Sequence, residues 1–200
     1  MTVHDRVATL VDDISSVLTS PESHFSDHGP ETLRSAVVFG ICMFGVTGTI
    51  LNTWNRVIGQ AFGTVAPQEY ISPFALPLNL TADFVIFGIL GTAFFVITTA
   101  IIHACIWIAG GRGFRTTMTL LGYSAATVPL TIGLLLIPSI GAILSLASLV
   151  YGIYIASVGT SIQHNMRFRR AVIATGLPAV LLVALLVGTL LFFSIFTIQP

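Results

Sequence analysis

His103 is the one basic side chain inside the long apolar segments of this chain, and His164 stands just beyond another of them. An imidazole at membrane depth can ligate a metal or pass a proton, and ionisable residues kept there usually serve a task. Two histidines without a third ligand make a poor metal site, so a hydrogen-bonded structural pair is the expectation for His103 and His164. The expected spans contain no Asp, Glu, Lys or Arg. That absence excludes a paired-aspartate intramembrane protease, a His–Glu zinc site in the bilayer and most carboxylate proton relays. No catalytic, cofactor-binding or metal-ligating residue is expected, and no enzyme.

Gly110-Gly111-Arg112-Gly113-Phe114-Arg115 looks like a phosphate-binding glycine run only at first sight. It follows no strand, and no Lys-Ser/Thr completes a P-loop. The better reading is a tight turn presenting Arg112 and Arg115 at headgroup level, with Arg167, Arg169 and Arg170 on the same side. These five arginines fix topology, and they are also the candidate contacts for phospholipid headgroups or an acidic partner.

The elements that must position these residues are set by charge-free runs at Ser35–Asn55, Phe84–Gly111, Thr116–Met166 and Ala171–Pro200. Of the 200 residues, 54% are hydrophobic and only 8% charged, and mean hydropathy is +0.95. A soluble domain of this size cannot hide so much apolar surface, so lipid must cover it. One crossing needs about 20 apolar residues. The runs predict five spans, at about 35–51, 84–108, 117–137, 140–162 and 171–195. They lack strand alternation, so the fold class is all-α, a polytopic membrane helix bundle. With the amino terminus on one side, that side holds Arg6, Arg34, Arg112, Arg115, Arg167, Arg169 and Arg170, and the other holds only Arg56. The positive-inside rule makes the first side cytoplasmic and puts the carboxyl terminus outside a multi-pass chain of the cell membrane.

Residues 1–30 form a separate amino-terminal segment before the transmembrane domain of residues 31–200. Val3, Val7, Leu10, Val11, Ile14, Val17 and Leu18 recur at helical spacing, which predicts an amphipathic helix that lies along the cytoplasmic interface or packs on the bundle, its acidic polar face favouring packing. Ser20-Pro21 ends it and begins a short turn to Phe25, and Gly29-Pro30 breaks the chain again. Between the first two spans, Trp54, Val57, Ile58, Ala61 and Phe62 predict a short amphipathic stretch. Pro67, Pro73 and Pro77 predict extended coil after it, and Asn79-Leu80-Thr81 is a sequon expected to be unused. Cys42 and Cys105 read as small packing residues. In span four, Gly141, Ser145, Ser148, Gly152, Ala156 and Thr160 form one small-residue face for close helix packing. Pro129 and Pro178 predict kinks in spans three and five.

Gly110-Gly111-x-Gly113-Phe114, Tyr123, Pro129, Ile137-Pro138-x-x-Gly141, Tyr151, Gly159, His164 and Ala171 together resemble the Yip1 domain family. Pro21, Phe25 and His103 are similar to positions in its prokaryotic members. The resemblance covers about residues 20–186 and implies five spans with a cytoplasmic amino terminus. Eukaryotic members are associated with Rab-type GTPases and membrane traffic, but this chain lacks their longer cytosolic region and its Asp-Leu-Tyr-Gly-Pro-like motif. The expected function is therefore non-enzymatic: organising membrane, or recruiting lipids or a protein partner, at the cytoplasmic face. The alternative is a small-solute transporter or channel using the Pro129 and Pro178 kinks. Membrane lipids, a protein partner or a second copy of the chain are the candidate partners; nucleic acid is not, and no cofactor is expected.

Overall fold

The computed structural model describes residues 3–28, 32–61 and 75–197. Among them it forms eight helices: α1 (Val3–Thr19), α2 (Pro21–Asp27), α3 (Leu33–Ala61), α4 (Ala75–Ile108), α5 (Phe114–Ser124), α6 (Thr127–Leu135), α7 (Gly141–Gln163) and α8 (Phe168–Thr197). Leu33–Trp54, Leu76–Ile108, Phe114–Leu135 and Gly141–Gln163 are long and apolar enough to cross a membrane. The fifth expected span falls on α8, where the side chains of residues 182–183 and 185–197 lie outside the described residues. Ile89, Leu90, Phe94 and Ile97 on α4, and Ile143, Leu146 and Val150 on α7, are exposed. An apolar exterior on a helix bundle is what hydrocarbon as solvent permits.

Several boundaries differ from the sequence expectation. Pro77 lies in the first turn of α4, not in coil, because a proline near a helix start gives up an N–H that has no intrahelical partner. α4 therefore begins well before Phe84 and takes in Asn79, Thr81 and Asp83. This overturns the carboxylate-free spans: Asp83 is buried within α4 and accepts a hydrogen bond from Asn52 Nδ2 at 3.1 Å. The stretch from Trp54 continues α3 to Ala61, while Phe62, Pro67, Pro73 and the Gly29-Pro30 break lie outside the described residues. Span three is two helices. Pro129 has no N–H for the Ala125 carbonyl, and that carbonyl accepts from Val128 N at 3.0 Å instead, tightening the turn at Ala125-Ala126. Pro178 sits within a continuous α8.

α3 and α4 meet through glycine and phenylalanine. A Cβ on Gly45 would stand 2.7 Å from the Phe84 ring, one on Gly48 2.0 Å from Phe87, and one on Gly91 2.4 Å from Phe44. Each glycine is thus the seat of a ring from the other helix. Gly122 on α5 lies against the backbone of α3, where a Cβ would be 2.6 Å from the Ala36 carbonyl oxygen.

The amino-terminal segment is a helical hairpin packed on this bundle. Val17 and Phe25 are buried in one cluster with Phe39, Leu120, Tyr123, Ile155 and Val158, and Leu10, Ile14 and Leu18 pack against it. Val11 faces outward. The expected turn after Ser20 is the short helix α2, with Pro21 at its start as helix geometry favours. Ser16 faces His24 and Asp13 faces His28, so α1 and α2 run antiparallel.

Candidate functional site

The arginine-bearing end is built by two helix terminations of one kind. At the end of α4, Gly110 takes φ +100°, a backbone region that glycine enters without a Cβ penalty. Gly111 N then donates to Ile106 O at 2.8 Å, the six-to-one bond of a Schellman cap. At the end of α7, Asn165 takes φ 49° and Met166 N donates to Ser161 O at 3.0 Å. An arginine follows each cap directly: Arg112 after Gly111, and Arg167 after Met166. The two caps touch, since a Cβ on Gly111 would lie 2.9 Å from Met166 Cε. Arg112, Arg115, Arg167, Arg169 and Arg170 are all exposed, and none makes an ion pair among the described residues.

Beneath these turns the structure brings His103 and His164 together through a third residue. The buried Thr117 hydroxyl lies 2.8 Å from His103 Nδ1 and 3.2 Å from His164 Nε2. Burial holds the His164 imidazole below its ordinary range. The Arg112 backbone lies beside this ring, although Nδ1 closes no hydrogen bond of ordinary geometry. The bridge links the ends of α4, α5 and α7 under the arginines.

The small-residue face of α7 packs on α6 of the same chain. Ser148 Oγ lies 2.9 Å from Thr131 Oγ1, a Cβ on Gly152 would be 2.7 Å from Thr127 Oγ1, and one on Gly141 would be 2.5 Å from Leu134 O. Ser145, Ala156 and Thr160 on this face are buried. Beside the break between α5 and α6 an open cleft of about 260 Å³ runs between helices, with Ile102, Thr127, Thr131, Gly152, Ile153 and Thr175 in its wall. Its threonine hydroxyls are already engaged: Thr127 with Ser124 O, Thr131 with Thr127 O and Ser148, and Thr175 with Ala171 O and Ser157. The cleft therefore offers mainly methyl groups, with its hydroxyl protons already committed, to anything that enters.

A polar cluster that sequence reasoning missed lies where the α1–α2 hairpin meets the bundle. His24 is 2% exposed, stacks on His28 with ring centroids 4.2 Å apart, and meets the Tyr123 ring edge-on at 4.6 Å. Burial, then the neighbouring His28, pulls the His24 imidazole down to about 4. Burial also raises the Asp13 carboxyl. α7 anchors the hairpin: the Tyr151 hydroxyl donates to Leu18 O at 2.5 Å and that of Tyr154 to Glu22 at 2.8 Å. Gln163 Nε2 donates to Phe25 O at 2.5 Å and His28 O at 2.6 Å, and Phe25 fills the space that a Gly159 side chain would take. The available sequence signal was the His24-x-x-x-His28 spacing, which puts two rings on one helix face.

The profile of the Yip1 domain family matches residues 15–190. No curated protein and no solved structure gives a match.

Proposed function

Because this chain belongs to the Yip1 domain family, we propose that it is a non-enzymatic multi-pass membrane protein that gathers anionic lipid headgroups, or the acidic face of a partner, on its arginine turns. The reading takes α8 as the fifth span, the arginine-bearing end as cytoplasmic and the carboxyl terminus as outside, at the cell membrane. One observation carries it. Five exposed arginines stand on two abutting caps, with no carboxylate of the described residues paired to them. Unpaired arginines at a membrane surface attract phosphate and carboxylate, and their planar forks can hold either by two hydrogen bonds. The methyl-walled cleft suits an acyl chain better than a polar solute, so it gives the transport alternative no support.

The test is to neutralise each turn separately, as Arg112→Gln/Arg115→Gln and as Arg167→Gln/Arg169→Gln/Arg170→Gln. Binding to vesicles with and without anionic lipid is then measured for chains of verified orientation. Each basic residue contributes about 1 kcal/mol toward an anionic surface, so losses of about 2 and about 3 kcal/mol are expected. Both should shrink as salt rises. Correctly oriented variants that retain lipid and co-purifying partners at wild-type levels would reduce these arginines to topology markers.

A further inference from the structure

We propose that Asp13, His24 and His28 form a site for one divalent transition metal of the zinc class, held between α1 and α2 where the hairpin meets Tyr123. One ligand atom from each of the three residues can be chosen so that all lie within 4.8 Å of one another. Two imidazoles and a carboxylate are ligands that zinc and its neighbours accept, with a further position left for water.

Hydrogen-bond bookkeeping prepares both rings for this role. His28 Nδ1 lies 2.9 Å from the His24 carbonyl, which can only accept, so the ring proton sits on Nδ1 and Nε2 carries a lone pair. Ser16 Oγ donates its one proton to Asp13 O, at 3.1 Å, and lies 2.7 Å from His24 Nδ1. In the tautomer whose Nδ1 proton is given to Ser16 Oγ, His24 Nε2 is left bare as well, which is the form a ligand needs. A ring nitrogen fixed by an oxygen partner, with the other nitrogen free, is the usual state of a metal-ligating histidine. His24 Nε2 is buried and has no hydrogen-bond partner. A buried polar atom without a partner calls for an explanation, and a bound cation supplies one. His28 Nε2 lies 3.9 Å from Asp13 Oδ1, and these side chains are 31% and 18% exposed, which leaves a path from solvent.

Ligand atoms about 2.0–2.1 Å from a tetrahedral zinc stand about 3.3 Å apart. Closure therefore needs up to about 1.5 Å of convergence, and the His28 ring, stacked 12° from parallel on His24, must turn out of the stack to aim its lone pair at the same ion. A metal here would pin α1 to α2 and lock the hairpin in its docked form.

The test uses the whole chain, purified without a polyhistidine tag and stripped with chelator in detergent. Cobalt(II) is then added and displaced by zinc. One cobalt per chain, with the visible bands of a low-coordinate site, displacement by equimolar zinc and a zinc-raised melting temperature are expected. His28→Asn should weaken binding by more than about 100-fold, since even loss of an outer partner costs 10–100-fold. Ser16→Ala should fall within that smaller range, and His103→Asn, away from the site, should keep the wild-type cobalt affinity whatever its effect on melting. If metal-free His28→Asn melts early, Asp13→Asn makes the same comparison through a different ligand. No stoichiometric binding, or binding that survives both His28→Asn and Asp13→Asn, overturns the proposal.

Discussion

Acidification should release the α1–α2 hairpin through His24. The docked imidazole titrates near 4, whereas a detached, solvated hairpin returns it to about 6.5. The docked state is therefore unpenalised above pH 6.5. As pH falls, the detached state takes up a proton that the docked state refuses, and docking weakens until about pH 4. The full gap corresponds to about 3 kcal/mol, and about 2 kcal/mol of it is lost at pH 5, or roughly 30-fold in the opening equilibrium. The charged and titratable groups around the ring are Asp13 on α1, Asp27 and His28 on α2, and Tyr123 on α5. Asp13 works in the opposite sense, because burial makes the docked carboxyl the better proton acceptor. Hydrogen exchange of the residue 8–28 amides, in chelator and corrected for intrinsic rate, should show the opening between pH 7.5 and 5. His24→Asn should flatten that dependence, whatever its effect on the baseline. Equal pH dependence in the two proteins would refute the assignment to His24.

Gly122→Ala sets a methyl 2.6 Å from a backbone oxygen, so it should cost about 1–3 kcal/mol and lower the melting temperature in detergent. Gly133 has nothing within 4 Å, and Gly133→Ala should be neutral or gain up to about 1 kcal/mol; equal melting shifts would contradict the close α3–α5 approach. In a background lacking Cys42 and Cys105, single cysteines at Arg112 and Arg167 should label from the cytoplasm, and those at Gln68 and Gln199 from outside. Labelling of positions 68 and 112 from one side would break the proposed topology, and labelling of 199 from the cytoplasm would remove the fifth span.

Four of the five expected spans were legible because hydrocarbon penalises charge, which leaves a signal many residues long. The α1 stripe was legible for a similar reason: Leu10, Ile14 and Val17 keep helical period. Asp83 was misplaced because the span was drawn from the charge-free run that begins just after it, and Pro77 read as coil. His24 and His28 were overlooked because Ser20-Pro21 read as the start of a turn, and a seven-residue helix has too few turns to show a period. The arginines could be named from sequence but not brought together. Contact between the caps depends on Gly111 meeting Met166, which local sequence does not encode. The pairing of Gly45, Gly48 and Gly91 with three phenylalanines is tertiary in the same sense, since each glycine looks permissive until its ring is known.

The hairpin that docks on α7 is synthesised long before its seat. Phe25 and the Gln163 side chain that holds its carbonyl are 138 residues apart. At about 5–20 residues per second, the ribosome needs about 7–28 s to cover that distance. Throughout that interval Val17 and Phe25 lack the Ile155 and Val158 part of their cluster and can pack only on its α3 and α5 members as these are made. Docking of the hairpin is accordingly a late step in biogenesis, one that reports that α7 has been inserted and oriented.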